Sequence, residues 1–227
     1  RRSHDRKHGL GPMHIVSAWA SDFGITLGQV ATEEKSNEIT AIPQLLERID
    51  VEDAIVTIDA AGCQKTIAAK IVQGKGDYVL ALKGNQEKLL HDVKFLMLGP
   101  IQDDVAGGPV SRYVEVEQGH GRLESRTYYQ MTAPSYLHGR SEWKGLKTVG
   151  AAVRVYEEKG IEKRDVRYYI SSLRRNGPQF AQAVRRHWGI ENSLHWSLDM
   201  TYREDESRAR NRTFAENLSW LRRLTLG

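Results

Sequence analysis

Side chains able to do acid–base or metal chemistry recur near the C-terminus of this chain. His187, Glu191, His195 and Asp199 each stand four residues after the last. Four residues advance a helix slightly beyond one turn, so neighbours in this ladder share a face. The face drifts by about 40° per step, so only adjacent members could hold a common ligand. That makes a His187/Glu191/His195 transition-metal site a minor reading. Trp188, Ile190, Leu194, Trp196 and Leu198 lie between them at mixed three- and four-residue steps. This suits a buried helix over Arg185–Asp199. A carboxylate on such a helix needs a cation or a metal. Glu191 therefore either pairs with Arg185 or Arg186, or is a metal ligand awaiting a second acid.

Asp59 is the candidate second acid. It closes the β-branched run Ala54-Ile55-Val56-Thr57-Ile58, and open α/β sheets place ligands at the carboxyl ends of their strands. The plainer reading is a turn or cap before a helix at Gln64. An acid at a strand end together with an acid on a packed helix beside Arg suits a phosphodiester site built on hard divalent ions. Other chemistries are less well served. The sequence has no Walker motif, no Cys-x-x-Cys and no His-Glu-x-x-His, and Gly74-Lys75-Gly76 lacks dinucleotide-loop spacing. Cys63, the only cysteine, fits packing better than nucleophilic catalysis.

The elements that must carry these residues follow from pattern. His14–Ala20 and Ile25–Ala31 flank Ser21-Asp22-Phe23-Gly24 as a hairpin. Asn37–Ile49 has helical periodicity, with Ser36 or Asn37 as cap and Pro43 as a possible kink. Strand Ala54–Ile58, helix Gln64–Gln73, strand Tyr78–Leu82 and a helix from Glu87 to about Leu98 then alternate. That makes a mixed α/β layer with an antiparallel edge. Pro100–Gly108 reads as a loop. Tyr113–Glu117 and Leu123–Gln130 form a hairpin around Gln118–Gly121. Lys147–Tyr156 and Arg164–Ile170 are two further strands, separated by Glu157–Gly160. Gly177-Pro178 opens a helical C-terminus.

Composition bounds the class. Of 227 residues, 40% are hydrophobic and 27% charged, enough for a packed core. No apolar run suits a membrane span, and the Arg-rich start lacks the apolar segment of a signal peptide. A single cysteine excludes a disulfide framework and a cysteine zinc site, and points to the cytosol. Net charge is only +4. However, Arg dominates the cations after Arg154, and Arg1, Arg2, Arg6 and Lys7 make residues 1–12 a basic arm. Basic ends suit a polyanion, since guanidinium forks phosphate, although solvated charge faces give similar runs.

Thr57-Ile58-Asp59-Ala60 with Gln64, Leu82-Lys83-Gly84-Asn85-Gln86, and His187-Trp188-Gly189-Ile190-Glu191-Asn192 through Asp199 to Arg203-Glu204-Asp205 resemble the DDE transposases of bacterial insertion sequences. The closest resemblance is to the H-repeat-associated subgroup, and it runs over almost the whole chain. It implies an RNase H-like mixed sheet flanked by helices over residues 13–227. A β-rich insertion at about 100–172 would precede the last catalytic helix. It also implies two Asp and one Glu binding Mg²⁺ or Mn²⁺. Asp59 matches the second Asp and Glu191 the Glu. The first Asp, in an Asp-Gly-Lys context on the first strand, has no counterpart here. The family pattern puts it shortly before the Arg-Arg-Ser that begins this sequence. Asp5 is near in sequence, but its context does not match.

Lys83 and Arg186 become candidate phosphate contacts. Arg203, Arg208, Arg210 and Arg212 either track the DNA backbone or pair with Glu204, Asp205 and Glu206. Trp188 and Trp196 read as core. In a related signature, His187 takes an Arg position and Leu198 a Lys position, so the resemblance does not carry phosphate contacts over to those two. The implied activity is metal-dependent cleavage of DNA at insertion-sequence ends and strand transfer to target DNA, by a cytoplasmic protein, with a homodimer bridging two ends. The alternative is a catalytically inactive, truncated DNA-binding or dimerisation module.

Overall fold

A computed structural model describes residues 14–32, 38–119, 122–190, 194, 196–207, 209 and 211–226. The basic arm, Asp5, the capping pair Ser36 and Asn37, and His195 lie outside the described residues. The chain groups into two compact units, Arg1–Asp50 with Arg186–Gly227, and Val51–Arg185.

The first unit begins with the expected hairpin. Strands β1 (His14–Ala20) and β2 (Ile25–Thr32) pair antiparallel, His14 opposite Thr32, with a bulge at Ala18/Trp19. Helix α1 (Glu38–Leu46) packs on this hairpin through Ala41 and Leu45. With Val30, Val16, Ala18 and Ile49 they make one apolar cluster. Pro43 sits inside α1 without ending it. It falls in the helix's second turn, where few backbone bonds are lost. Helix α5 (Arg212–Leu224) is capped by Asn211, whose Oδ1 accepts from the Phe214 amide at 3.0 Å. It is tied to β2 by Gln29 Nε2 donating to the Glu216 carbonyl at 3.1 Å.

The second unit is a six-stranded mixed sheet in the order β3-β4-β8-β7-β6-β5. The strands are β3 (Ile55–Ile58), β4 (Asp77–Leu82), β5 (Val110–Gly119), β6 (Arg122–Thr132), β7 (Thr148–Glu158) and β8 (Ile161–Ser171). β3 and β4 run parallel, Ile58 beside Leu80, with helix α2 (Lys65–Gln73) as the crossover. All other pairs are antiparallel. The β-rich block thus extends the α/β sheet through β8, which lies directly against β4. Two serines secure that junction. Ser171 Oγ donates to the Tyr78 carbonyl at 2.8 Å, and Ser172 Oγ accepts from the Tyr78 amide at 2.8 Å. Tyr78, Val79 and Leu80 are accordingly buried, whereas β3 is only half-buried along its length.

The two faces of this sheet carry different helices. On one, α3 (Glu87–Gln102) sets Lys94 over the Tyr168 ring, and its Ile101 carbonyl accepts from Arg164. On the other lies α4 (Gly177–Ile190), whose Phe180 meets Tyr128 and Tyr169 edge-on.

Three expectations need correction. The loop expected from Pro100 begins later, because α3 continues to Gln102. Proline lacks one N–H, and in a last turn that loss does not break the helix. The turn between β7 and β8 is Lys159-Gly160 alone, with the strands paired out to Glu158 and Ile161. Both turn residues have positive φ, 56° and 76°, the geometry that matches strand twist in a two-residue hairpin. Trp196 is not core: it is 59% exposed, whereas Leu194 and Leu198 are buried.

Gly150 on β7 permits the close approach of α4. A Cβ there would meet Phe180 Cζ at 2.7 Å and the Tyr129 carbonyl oxygen at 2.8 Å. The carbonyl belongs to the sheet ladder and cannot yield. Gly150→Ala is expected to destabilise the second unit by about 1–3 kcal/mol, read as a shift in the urea unfolding midpoint.

Candidate functional site: a strand-end carboxylate and its supporting turn

Asp59 follows the last residue of β3 and is exposed. Its Oδ1 accepts from the amides of Ala61 at 3.1 Å and Gly62 at 3.4 Å, capping a short 3₁₀ turn. The cap reading is therefore correct for one oxygen. Oδ2 takes no hydrogen bond among the described residues and stays available to a ligand. A carboxylate with one oxygen fixed by backbone donors and the other open suits a hard cation.

Parallel pairing brings a second turn to the same sheet end. Lys83 follows β4, is exposed, and begins the turn Gly84–Gln86. Asn85 Nδ2 donates to the Ala60 carbonyl at 2.7 Å, and Gln86 Nε2 to the Cys63 carbonyl at 3.0 Å. The amides of the Lys-Gly-Asn-Gln stretch thus join the Lys83 turn to the Asp59 turn. Sequence reasoning singled out this motif for its lysine and missed the two amide clips. A pair of amides directly after a strand-end cation is the signal that could have shown them. Beside this turn opens a cavity of about 340 Å³, lined by Lys65, Asn85, Gln86, Lys88, His138 and Trp143 among others. Lys65 is held there by Glu142 at 2.6 Å.

Cys63, directly behind the Asp59 turn, has no exposure, and burial pushes its thiol up to about 12. It remains protonated at neutral pH, so it packs rather than attacks.

The remaining candidates belong to the first unit. Glu191, Arg208 and Arg210 lie outside the described residues. Arg186 is exposed and makes an ion pair with Asp22 of the β1–β2 turn. Arg185 binds Glu117 instead, at 2.5 and 2.7 Å. The two cations proposed as partners for Glu191 are thus engaged by other acids. Arg203 is exposed, with positive φ of 49°, and its Nη1 is 4.0 Å from Glu206. So long a contact between exposed groups contributes little, and the Arg203 donors face solvent. Asp59 and Lys83 both belong to the second unit, on turns joined by hydrogen bonds, while Arg186 and Arg203 belong to the first. Among the described residues no group of three His, Cys, Asp or Glu side chains could hold a metal. Of the two acids in the implied set, only Asp59 lies among the described residues.

Glu204 has a separate role. Its carboxylate takes Arg223 Nη1 at 2.9 Å and Nη2 at 3.2 Å, and Ser219 Oγ at 2.9 Å. Arg223 is 6% exposed, so Glu204 anchors α5 rather than answering Arg203.

A mixed α/β sheet flanked by helices, with an acid closing a parallel strand, is consistent with the RNase H-like fold. The comparisons with known proteins make this specific: residues 1–226 match the "Transposase DDE domain" family, and the chain belongs to it. Over 230 residues it is 43% identical to "Putative transposase YncI" of Escherichia coli O157:H7, covering all of this chain and 58% of that protein. Over 233 residues it is 40% identical to "H repeat-associated putative transposase YhhI" of Escherichia coli strain K12, covering 60% of it. "Putative protein YbfL" of the same strain matches at the same identity and coverage. The chain therefore spans about three-fifths of the length of these curated relatives.

Removing the Glu204 carboxylate leaves a buried guanidinium without its charged partner. Glu204→Ala is expected to cost about 2–3 kcal/mol, less than the roughly 3–5 kcal/mol of a fully buried pair because Glu204 is partly solvated. Equilibrium denaturation of the first unit checks this; a change near zero would mean that Arg223 finds other partners.

Proposed function

We propose that this chain supplies the catalytic part of a transposase that cuts DNA at the ends of an insertion sequence and joins the freed ends to target DNA. Asp59 and Glu191 hold the Mg²⁺ or Mn²⁺ ions. The observation that carries this reading is the Asp59 carboxylate, fixed at a strand end through Oδ1 and open at Oδ2, in a chain of the DDE family.

A divalent ion at such a site supplies a strong water nucleophile and neutralises charge on the phosphoryl oxygens. The chain's own residues do the rest. The 3₁₀ turn keeps Asp59 from rotating away, since two amides hold one of its oxygens. Asn85 and Gln86 hold the Lys83 turn beside it, so the ammonium is set to meet a phosphate of the strand being cut. Arg186, Arg203, Arg208 and Arg210 contact the DNA backbone without reading sequence. Arg186 reaches phosphate with the donors it does not give to Asp22, because a guanidinium carries five. The strand's 3′-hydroxyl, once freed, is the nucleophile for joining, so one site serves both steps. A pair of chains would be needed to hold two ends at once.

Two measurements test this. Titration of the chain with Mn²⁺ should show binding that Asp59→Asn and Glu191→Gln each weaken by at least about tenfold. In a protein containing this chain, the same substitutions should lower Mg²⁺-dependent nicking of inverted-repeat DNA by about three orders of magnitude or more. Nicking that survives both would refute the site. Retained DNA binding with no metal affinity would favour the non-cleaving module.

A further inference from the structure

Asp59 and Lys83 occupy one end of the parallel pair β3 and β4. At the other end, two short segments of the second unit lie side by side. The Lys147 amide donates to the Ser171 carbonyl at 3.0 Å, and Thr148 Oγ1 donates to the Leu173 carbonyl at 3.0 Å. Ser172 Oγ meets the carboxylate of Asp77, the first residue of β4, at 2.6 Å. The segment entering β7 therefore runs beside the segment leaving β8, at the start of β4. Between them they expose four cations: Lys144, Lys147, Arg174 and Arg175. Residues 143–147 and 172–176 contain no acid.

These cations stand on a fixed backbone. Lys144 follows Trp143, Lys147 follows Leu146 and Arg174 follows Leu173, and all three apolar residues are buried. The Leu173 amide donates to Ser171 Oγ at 2.9 Å. Just past the Arg pair, the Asn176 amide donates to Gln130 Oε1 at 2.7 Å, and Gln130 is 1% exposed. The chain is thus pinned on both sides of Arg174-Arg175. The charges themselves are little used. Among the described residues, the side chains of Lys144 and Arg174 make no hydrogen bond or ion pair. Lys147 Nζ is 4.0 Å from Asp77, a distance at which exposed groups gain little. Arg175 Nη1 donates to the Gly108 carbonyl at 2.6 Å, one use of a group with several donors.

An ordered backbone carrying unneutralised charge fits a ligand with many anionic groups on a stiff frame. Segments already ordered lose little entropy on binding. Duplex DNA carries one negative charge per about 1.7 Å of its axis. The 6 residues of β4 put this corner roughly 20 Å from the Lys83 turn, at about 3.3 Å each. That is the length of about six base pairs, so the corner meets phosphates other than those at the Asp59 turn.

We infer that Lys144, Lys147, Arg174 and Arg175 form a second contact for the backbone of duplex DNA, at the end of the sheet opposite Asp59. The contact reads no sequence, because cations on phosphate do not touch base edges. The inference rests on the reading of DNA as the partner of this chain.

Binding of this chain to a labelled random-sequence duplex, measured across a range of salt, tests it. Lys144→Gln/Lys147→Gln/Arg174→Gln should weaken binding by at least about tenfold and flatten the slope of log K against log salt by about 2.7, or about 0.9 per phosphate contact. Arg174→Gln alone should flatten it by about 0.9. The melting temperature should not fall in either variant. Lys159→Gln/Lys163→Gln/Arg167→Gln removes the same charge from the β7–β8 hairpin and should alter the slope far less. An unchanged slope in the first triple variant, or an equal loss in the hairpin variant, overturns the inference and leaves DNA as the partner. No binding by the parent chain at low salt would refute the DNA reading itself, and this inference with it.

Discussion

Parallel pairing of β3 with β4 is the constraint on which the candidate site depends. Parallel strands end on the same side of a sheet, so the turns after Ile58 and Leu82 leave it at one end, with β4 running two residues past Leu80, the partner of Ile58. These turns begin at Asp59 and Lys83. Their turns would still be free to diverge, since each is outside the ladder. The amides of Asn85 and Gln86 prevent that by donating to carbonyls of the opposite turn. The turns that carry an acid and a cation are thus tied to each other by hydrogen bonds.

The β-rich block serves the same sheet. β8 lies against β4 and is stitched to Tyr78 by two serine hydroxyls. This buries β4 on its second side and makes the strand that carries Lys83 an interior one. The opposite end of the block receives α4. A single continuous sheet therefore runs from the strand-end turns to the strands on which the first half of α4 packs.

Most of the fold was readable where one force dominated. Short apolar runs around a turn-rich tetrapeptide marked β1 and β2, and compact apolar runs marked β3 and β4. The errors came where local signals oppose tertiary ones. Pro100 reads as a loop because proline disfavours helix interiors, yet in a final turn its cost is small. Lys159 in a left-handed conformation is not signalled by residue type, so the turn looked four residues long instead of two. Trp196 reads as core from its size and spacing, but Leu194 and Leu198 take the buried positions. The strand order, with the last strand inserted beside β4, is a long-range choice that no local window encodes. In the site, the types of Asp59 and Lys83 were visible, and the amide clips were not, because a hydrogen bond between two turns leaves no periodicity. The ion pair of Arg185 with Glu117 spans 68 residues and was equally hidden.

The account stands or falls on Asp59 Oδ2 being a metal ligand together with Glu191. Anomalous scattering from crystals of this chain soaked in Mn²⁺ tests it directly. The account predicts a peak at about 2.0–2.3 Å from Asp59 Oδ2, the range for hard divalent ions on carboxylate oxygen, with a Glu191 oxygen in the same coordination shell. A peak elsewhere with Asp59 left bare, or Asp59 and Glu191 each without an ion at saturating Mn²⁺, would contradict it.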